Sequence, residues 1–370
     1  MAVLVINAGS SSLKVSVIEV GTREPLASAQ ADWGSDATRA PDRRSALKQA
    51  LDGLPDLRFD VVAHRVVHGG ARFRKPTLID NAVLAELDAV SELAPLHNPI
   101  AVETIRAQRA LLPDLPSVAV FDTAFHATLP RDAYVYPLPW SWHTEWGVRR
   151  FGFQGLSVEW SVRRAAELLR TPAESLSIVV AHLGSGCSIT AVLGGASGAT
   201  SMGFTPLEGI AMGTRSGSID PGVMLYAMRS HRLSADALQE VLEHEAGLLG
   251  VSGTTGDVRR LLEAAAAGDD RSQLALDIFV RRAAEGVAAA ATSLTRVDAL
   301  VFTGGVGENA ATIRGAICAR LAVLGVPHVP DGPVTEDALL ASGDGQPAVL
   351  RIAAREDLVM AEAAAALMAR

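Results

Sequence analysis

Short apolar runs that stop abruptly at glycine or polar residues punctuate this chain. Val3-Leu4-Val5-Ile6 ends in Asn7-Ala8-Gly9-Ser10-Ser11-Ser12, and a second apolar run spans Val15 to Val20. The pattern returns as Ile178-Val179-Val180-Ala181, then His182-Leu183-Gly184-Ser185-Gly186-Cys187, then Ile189 to Leu193. A constant offset of 175 residues places Gly9 on Gly184 and Ser10 on Ser185. β-Branched runs around a small-residue turn predict strand, turn, strand. Two copies predict two similar domains, each offering a phosphate-sized hairpin to a shared cleft, an arrangement that points to phosphoryl transfer.

Other apolar runs end in candidate chemistry. Val61-Val62-Ala63 leads to His64-Arg65 and on to His68-Gly69-Gly70; Val118 to Phe121 leads to Asp122; Ala299 to Phe302 leads to Thr303-Gly304-Gly305-Val306-Gly307-Glu308-Asn309. Ligands of open α/β sheets bind outside the carboxyl ends of strands, which selects Arg65, Asp122 and Gly304-Gly305. Helical spacing runs from Ile100 to Leu112, with Asn98-Pro99 as cap and first-turn proline. Ser157 to Leu169 and the alanine-rich Leu274 to Leu294 and Leu358 to Met368 have the same period and read as scaffold. Pro137, Pro139 and the cluster Trp140, Trp142, Trp146 mark a break, placing the domain boundary near residue 148. Asp331 to Pro347, rich in Gly, Pro and Asp, reads as a surface loop.

Length and charge narrow the picture. A chain of 370 residues exceeds one ordinary core, so two domains are expected. Lys+Arg 33 against Asp+Glu 41 leaves −8, which argues against a nucleic-acid partner and makes any anion binding a local affair. Cys187 and Cys318 have neither zinc spacing nor a disulfide framework. There is no basic leader segment and no apolar run near the ~20 residues of a membrane span, so a cytoplasmic protein is expected.

Asn7 to Lys14 gathers an amide, serine hydroxyls and one of only three lysines on a tight turn. Glycine lets backbone N–H groups approach phosphate, and hydroxyls reach phosphate or Mg²⁺. No GxxxxGK[ST] loop occurs. In Gly213-Thr214-Arg215-Ser216-Gly217, which follows the Met202 to Gly209 loop, the arginine sits among small residues. It reads either as a neutraliser of phosphoryl charge or as a solvated loop residue.

Taken in order, these segments resemble the acetate/propionate kinase family of the sugar kinase–actin-like ATPase superfamily. The resemblance rests on Asn7 to Lys14, His64 to Gly70, Leu93 to Pro99 and Phe121 to His126. It continues through His182 to Gly184, Thr200 to Pro221, Asp257 to Arg259 and Phe302 to Asn309, covering nearly the whole chain. It implies an α/β fold of two duplicated actin-like ATPase (ribonuclease H-like) domains facing across a cleft: residues 1–148, with helix 357–370 returning to them, and 149–356, which bind nucleotide. It implies ATP as substrate, a short carboxylate (acetate or propionate) as acceptor, Mg²⁺ or Mn²⁺ as cofactor, and a homodimer. Arg65, Asp122, Arg215, His182 and the residue at 154 become catalytic. Lys14, Ser10, Ser12, Gly184, Ser185 and Gly186 face phosphate; Asp257, Val258, Arg259, Gly305, Val306, Gly307 and Asn309 hold the nucleoside. Asn7 and Glu356 attend the metal. Val67, Leu96, His97, Phe153 and Pro206 line the acyl pocket.

Four positions depart from the family pattern. Gln154 stands at the catalytic histidine, Val158 at a following histidine, Ser185 at an asparagine of the second hairpin and Ser218 at an acidic residue. Glutamine keeps a donor but never becomes cationic. Three readings follow: a slower or retuned acetate kinase, a kinase for another small carboxylate or phosphoryl donor, or a catalytically impaired nucleotide-binding switch. Retention of Asn7, Arg65, Asp122, Arg215 and Glu356 weighs against the last. An actin-like ATPase or a sugar kinase using Asp122 as base are the competing classes.

Overall fold

The computed structural model describes residues 1–9, 12–32, 42–95 and 97–369. They form two compact units, residues 1–127 with 153–156 and 355–370, and residues 128–152 with 157–354. The first holds β1 (Ala2–Ala8), β2 (Ser12–Glu19), β3 (Pro25–Asp32), β4 (Val61–Val66), β5 (Thr77–Leu78) and β6 (Ser117–Phe121), in the sheet order β3-β2-β1-β4-β6-β5. The second holds β7 (Ser177–Leu183), β8 (Cys187–Leu193), β9 (Ala196–Thr200), β10 (Ala299–Thr303), β11 (Ala338–Gly343) and β12 (Gln346–Arg351), in the order β9-β8-β7-β10-β12-β11.

The two orders match position for position. In each unit a hairpin and a third strand pair antiparallel, the first strand runs parallel to the next two, and a short antiparallel strand closes the edge. The repeated strand–turn–strand of the sequence is thus the start of a repeated topology. Parallel strands covered on both faces must be apolar on both. Accordingly Val3 to Ile6 are at most 2% exposed, and β7 is buried at every position.

In the first unit, Leu4, Leu13, Val62 and Leu47 form one core cluster, the last from the helix Arg43–Asp52, while Phe73 stacks on Phe121 at 5.0 Å in a second. The C-terminal helix Glu356–Met368 packs on β1, β2, β4 and β6. Its Leu358, Val359 and Met360 are buried, each contributing about 1.5–3 kcal/mol, and Ala361 and Ala364 let the helix approach the sheet closely. Among the described residues no helix is long and apolar enough to cross a membrane.

Three sequence expectations change. Asp331 to Pro347 is not all loop: β11 and β12 occupy much of it, because β12 finds a parallel partner in β10 that local propensity cannot reveal. Asn98 is not the cap of its helix, Asn98–Leu111; it is the first helical residue, fully buried, and its side chain bonds both the N–H (3.0 Å) and the carbonyl (2.8 Å) of His68. The division between units falls after residue 127 rather than near 148. Residues 128–152 pack with the second unit, where Arg150 donates to the carbonyls of Ser201 and Met202 and pairs with Glu208.

Candidate active site

Three parallel strand ends and one helix start build a charge cluster in the first unit. Asn7 lies near the end of β1, Arg65 near the end of β4, Asp122 directly after β6, and Glu356 opens the C-terminal helix. Arg65 binds Asp122 through one edge of its guanidinium, Nε to Oδ1 at 2.8 Å and Nη2 to Oδ2 at 2.6 Å. Its Nη1 reaches Asn7 Oδ1 and Glu356 Oε2, each at 3.3 Å. Burial disfavours the Arg65 cation, but Asp122 and Glu356 outweigh that and move its pKa upward. Burial pushes the Glu356 carboxyl up, with Asp122 and Asp357 adding to the rise and Arg65 and Lys14 opposing it.

One guanidinium therefore serves two carboxylates, and Lys14 on β2 is exposed. A further cation at this spot would offset the surplus negative charge. Among the described residues no group of three or more His, Cys, Asp or Glu could cage a metal alone. Mg²⁺ takes hard oxygen donors, usually one or two protein carboxylates, with water and phosphate oxygens completing its shell. The amide oxygen of Asn7 and the carboxylates of Glu356 and Asp122 are the oxygen donors of this cluster.

The segment 153–156 packs against this cluster. The Gly155 N–H donates to the Asp122 carbonyl at 2.9 Å, and a Cβ at Gly155 would lie 2.7 Å from the Phe125 Cβ, so only glycine fits. The carbonyl of Phe153 accepts from His126 Nε2 at 2.9 Å, and burial lowers the His126 pKa to about 4, leaving a neutral ring that donates. Gln154 between these anchors is half-buried and held at φ +60°, a left-handed conformation that non-glycine residues adopt only when their surroundings impose it. Phe153 is buried edge-on to His68 at 5.3 Å; Val67 and His97 are partly buried residues of the first unit. Ser10 and Leu96 lie outside the described residues. His64, beside Arg65, is a structural group: burial lowers it to about 4 and its Nε2 bonds Gln108 at 3.0 Å.

The second unit supplies a cavity of about 710 Å³, within the range of small-ligand sites. Its walls include Gly184 and Ser185 of the β7–β8 turn, Asp257, Val258 and Arg259 at the start of the helix Val258–Ala266, and Gly305, Val306 and Asn309 of the helix Gly304–Asn309. Asp257 caps its helix by accepting from the Arg259 N–H at 2.8 Å. Gly304 sits at φ +77°, and a Cβ there would lie 2.7 Å from the Leu183 carbonyl. Gly186 and Gly307 are not in the cavity wall; Gly307 is buried on the side of its helix that faces β7 and β10.

Sequence reasoning missed Gly213, Thr214, Gly256, Leu262 and Ala310, which also line the cavity. Gly213 and Gly256 press their backbones together, a contact that leaves no periodic signal in the chain. It missed Ser157 as well, whose Oγ lies 2.7 Å from His182 Nδ1 and is fully buried. Arg215 is partly buried in the second unit; its Nη1 donates to the Pro206 carbonyl at 3.4 Å. Desolvation lowers its pKa, and Glu243 and Cys187 counter this. Burial raises the Cys187 thiol to about 12, and it donates to the Gly184 carbonyl, so it staples the turn instead of acting as a nucleophile.

Two copies of one six-stranded layout, the second carrying a nucleotide-sized cavity beside a glycine turn, define a duplicated actin-like ATPase fold. Comparison with known proteins agrees. The acetokinase family profile matches residues 2–362. The chain belongs to the acetokinase family. It is 43% identical to an acetate kinase of Synechococcus sp. (strain JA-2-3B'a(2-13)), covering 98% of both proteins. It is also 43% identical to one of Geobacillus kaustophilus (strain HTA426), covering 88% of both. The crystal structure of Porphyromonas gingivalis acetate kinase superposes with TM-score 0.91 at 32% identity, and a propionate kinase from Francisella tularensis subsp. tularensis SCHU S4 with 0.90 at 36%; each pair covers 99% of both chains.

Proposed function

We propose that this protein is an ATP-dependent carboxylate kinase of the acetate kinase type, making ADP and an acyl phosphate from a short acid, reversibly. The observation that carries the reading is Arg65, half-buried and fixed by Asp122, Asn7 and Glu356 at the carboxyl ends of the first sheet. A carboxylate is already ionised near pH 7 and needs no strong base. Its difficulty is meeting another anion, so the protein's task is to hold positive charge and align the partners.

In this reading a carboxylate oxygen forms a bond to the γ-phosphorus, the bond to the β–γ bridging oxygen breaks, and ADP leaves with that electron pair. Arg65 and Arg215 neutralise the acceptor carboxylate and the phosphoryl oxygens. Asp122 keeps Arg65 in one orientation. His182, oriented by Ser157, donates to phosphoryl oxygen, and Gln154 contributes a neutral donor where relatives of the family pattern have histidine. Ser12 and Lys14, with Ser10 beyond the described residues, and Ser185 face phosphate; the cavity residues Asp257, Val258, Arg259, Gly305, Val306 and Asn309 hold the nucleoside. Mg²⁺, held through Asn7 and Glu356, would screen the phosphate charge when bound. Val67, His97, Phe153 and Pro206 suit a short acyl chain, and because one methylene is worth only about 1–3 kcal/mol, acetate and propionate should both react. A homodimer is supported by the exposed Val223, Leu225, Tyr226 and Met228 of the helix Pro221–Ser230, a density of apolar surface that a second copy would cover.

The test is hydroxamate trapping of acyl phosphate with MgATP across acetate, propionate, butyrate, glucose and glycerol. Acyl phosphate from acetate or propionate is the expected product. ADP release indifferent to every carboxylate would point instead to a hydrolytic switch.

A further inference from the structure

A second cluster of charge lies behind the cavity rather than in it. Glu308, the fifth residue of the helix Gly304–Asn309, turns its carboxylate from the nucleotide cavity toward the run that follows β12. Its Oε1 accepts the Ala354 N–H at 3.0 Å and its Oε2 faces Arg351 Nη2 at 3.4 Å. Asp337 does the same one residue earlier: its Oδ1 accepts the Ala353 N–H at 2.7 Å and lies 3.6 Å from Arg351 Nη1, while Oδ2 takes Arg164 Nε at 2.8 Å. Arg314, fully buried, donates Nη1 to the carbonyls of Gly307 and Glu308 at 2.9 and 2.8 Å, tying down the end of the same helix.

Two consecutive peptide N–H groups that no strand or helix satisfies are thus gripped by two carboxylates, with Arg351, 4% exposed, holding those carboxylates in place. Two residues after Ala354 comes Glu356. The helix it opens has no side-chain cap, and Arg355, between the gripped N–H groups and Glu356, bonds Asp357 and the Arg23 carbonyl through its own side chain.

We propose that Glu308 is a positioning residue: its carboxylate, together with Asp337, fixes the 353–354 peptide and so the placement of Glu356. This rests on the carboxylate-kinase reading for the role of Glu356, though not for the clamp itself.

The full-length protein should be compared with Glu308→Ala and Glu308→Gln. Supporting partners of metal-site groups are typically worth about 10- to 100-fold. Glu308→Ala should therefore lower kcat by about that factor and raise the Mg²⁺ concentration needed for half activity, with ADP affinity in the absence of metal nearly unchanged. Glu308→Gln, which keeps an acceptor for Ala354, should recover most of the turnover. Hydrogen exchange gives a readout independent of catalysis: amides 353 and 354 should be protected in the wild type and exchange faster in Glu308→Ala. Turnover and exchange unchanged in Glu308→Ala, or a fall in ADP affinity matching the fall in kcat, would overturn the proposal. If Glu308→Ala does not fold, rapid exchange of amides 353 and 354 in the wild type would do the same. A wild type that makes no acyl phosphate defeats the functional reading and leaves the exchange measurement to judge the clamp.

Discussion

Replacing Arg65 with alanine tests whether the first-unit cluster is held by charge pairing. Asp122 is 1% exposed, and Arg65 is the partner of both its carboxylate oxygens, at 2.8 and 2.6 Å. Removing one member of a buried pair costs about 3–5 kcal/mol, chiefly because the other charge stays buried and alone. Arg65 retains 22% of its side-chain exposure, which admits some water and favours the lower end, about 3 kcal/mol. For a unit of roughly 150 residues 1 kcal/mol moves Tm by about 2–4 °C, so Arg65→Ala should melt roughly 6–12 °C lower. Most of the loss belongs to the Asp122 carboxylate, which Arg65 holds at both oxygens, and the double variant Arg65→Ala/Asp122→Asn should regain that part while Glu356 stays without its arginine. Activity should not return, because the cation proposed to meet the substrate is still absent. Differential scanning calorimetry with the acyl-phosphate assay on both variants decides the matter. A single variant that melts like the wild type, or a double variant no more stable than the single, would refute the charge-pairing argument; a double variant with normal turnover would remove Arg65 from the chemistry.

Gln154→His should raise acetate kinase turnover, by up to about 10²-fold if a cationic donor is what the site lacks; histidine tolerates the φ +60° backbone. An unchanged rate would mean the surroundings are rebuilt around glutamine. Gly155→Ala should lower stability by about 1–3 kcal/mol and cut turnover, since the new methyl meets Phe125 and the Asp122 carbonyl; a normal melting curve would contradict that packing. Glu356→Gln should stabilise the metal-free protein at neutral pH. The Glu356 pKa is raised by folding, so the ionised form costs stability that appears as pH rises from the ordinary carboxylate range through the raised folded value. The difference in Tm between Glu356→Gln and wild type should shrink as pH falls toward that range, and a difference independent of pH would defeat the assignment.

Much of the architecture is written locally. Strand β1 and strand β7 are continuous apolar runs because parallel strands bury both faces, and the turns after them need small residues because hairpins are tight. Those requirements repeat at a fixed spacing, so the duplication is visible without coordinates. Arg65 and Asp122 can be placed at strand ends for the same reason: each polar residue interrupts a run that otherwise stays buried. The glycine turn at Gly304 is legible because a left-handed residue against the Leu183 carbonyl admits little else.

Other features depend on partners distant in the chain. Strands β11 and β12 lie in a segment whose glycines, prolines and aspartates argue for loop, and only the pairing of Gln346–Arg351 with neighbouring strands makes it sheet. Asn98 has the composition of a helix cap, yet folding spends its amide on His68, thirty positions away. The sequence by itself determined two repeated lobes and the residue types at their strand ends, because periodicity and turn chemistry act over a few residues. Tertiary structure alone decided that one guanidinium would hold Asn7, Asp122 and Glu356 together, and that Glu308 would grip the peptide leading to that glutamate, because burial and hydrogen-bond geometry are properties of neighbours in space.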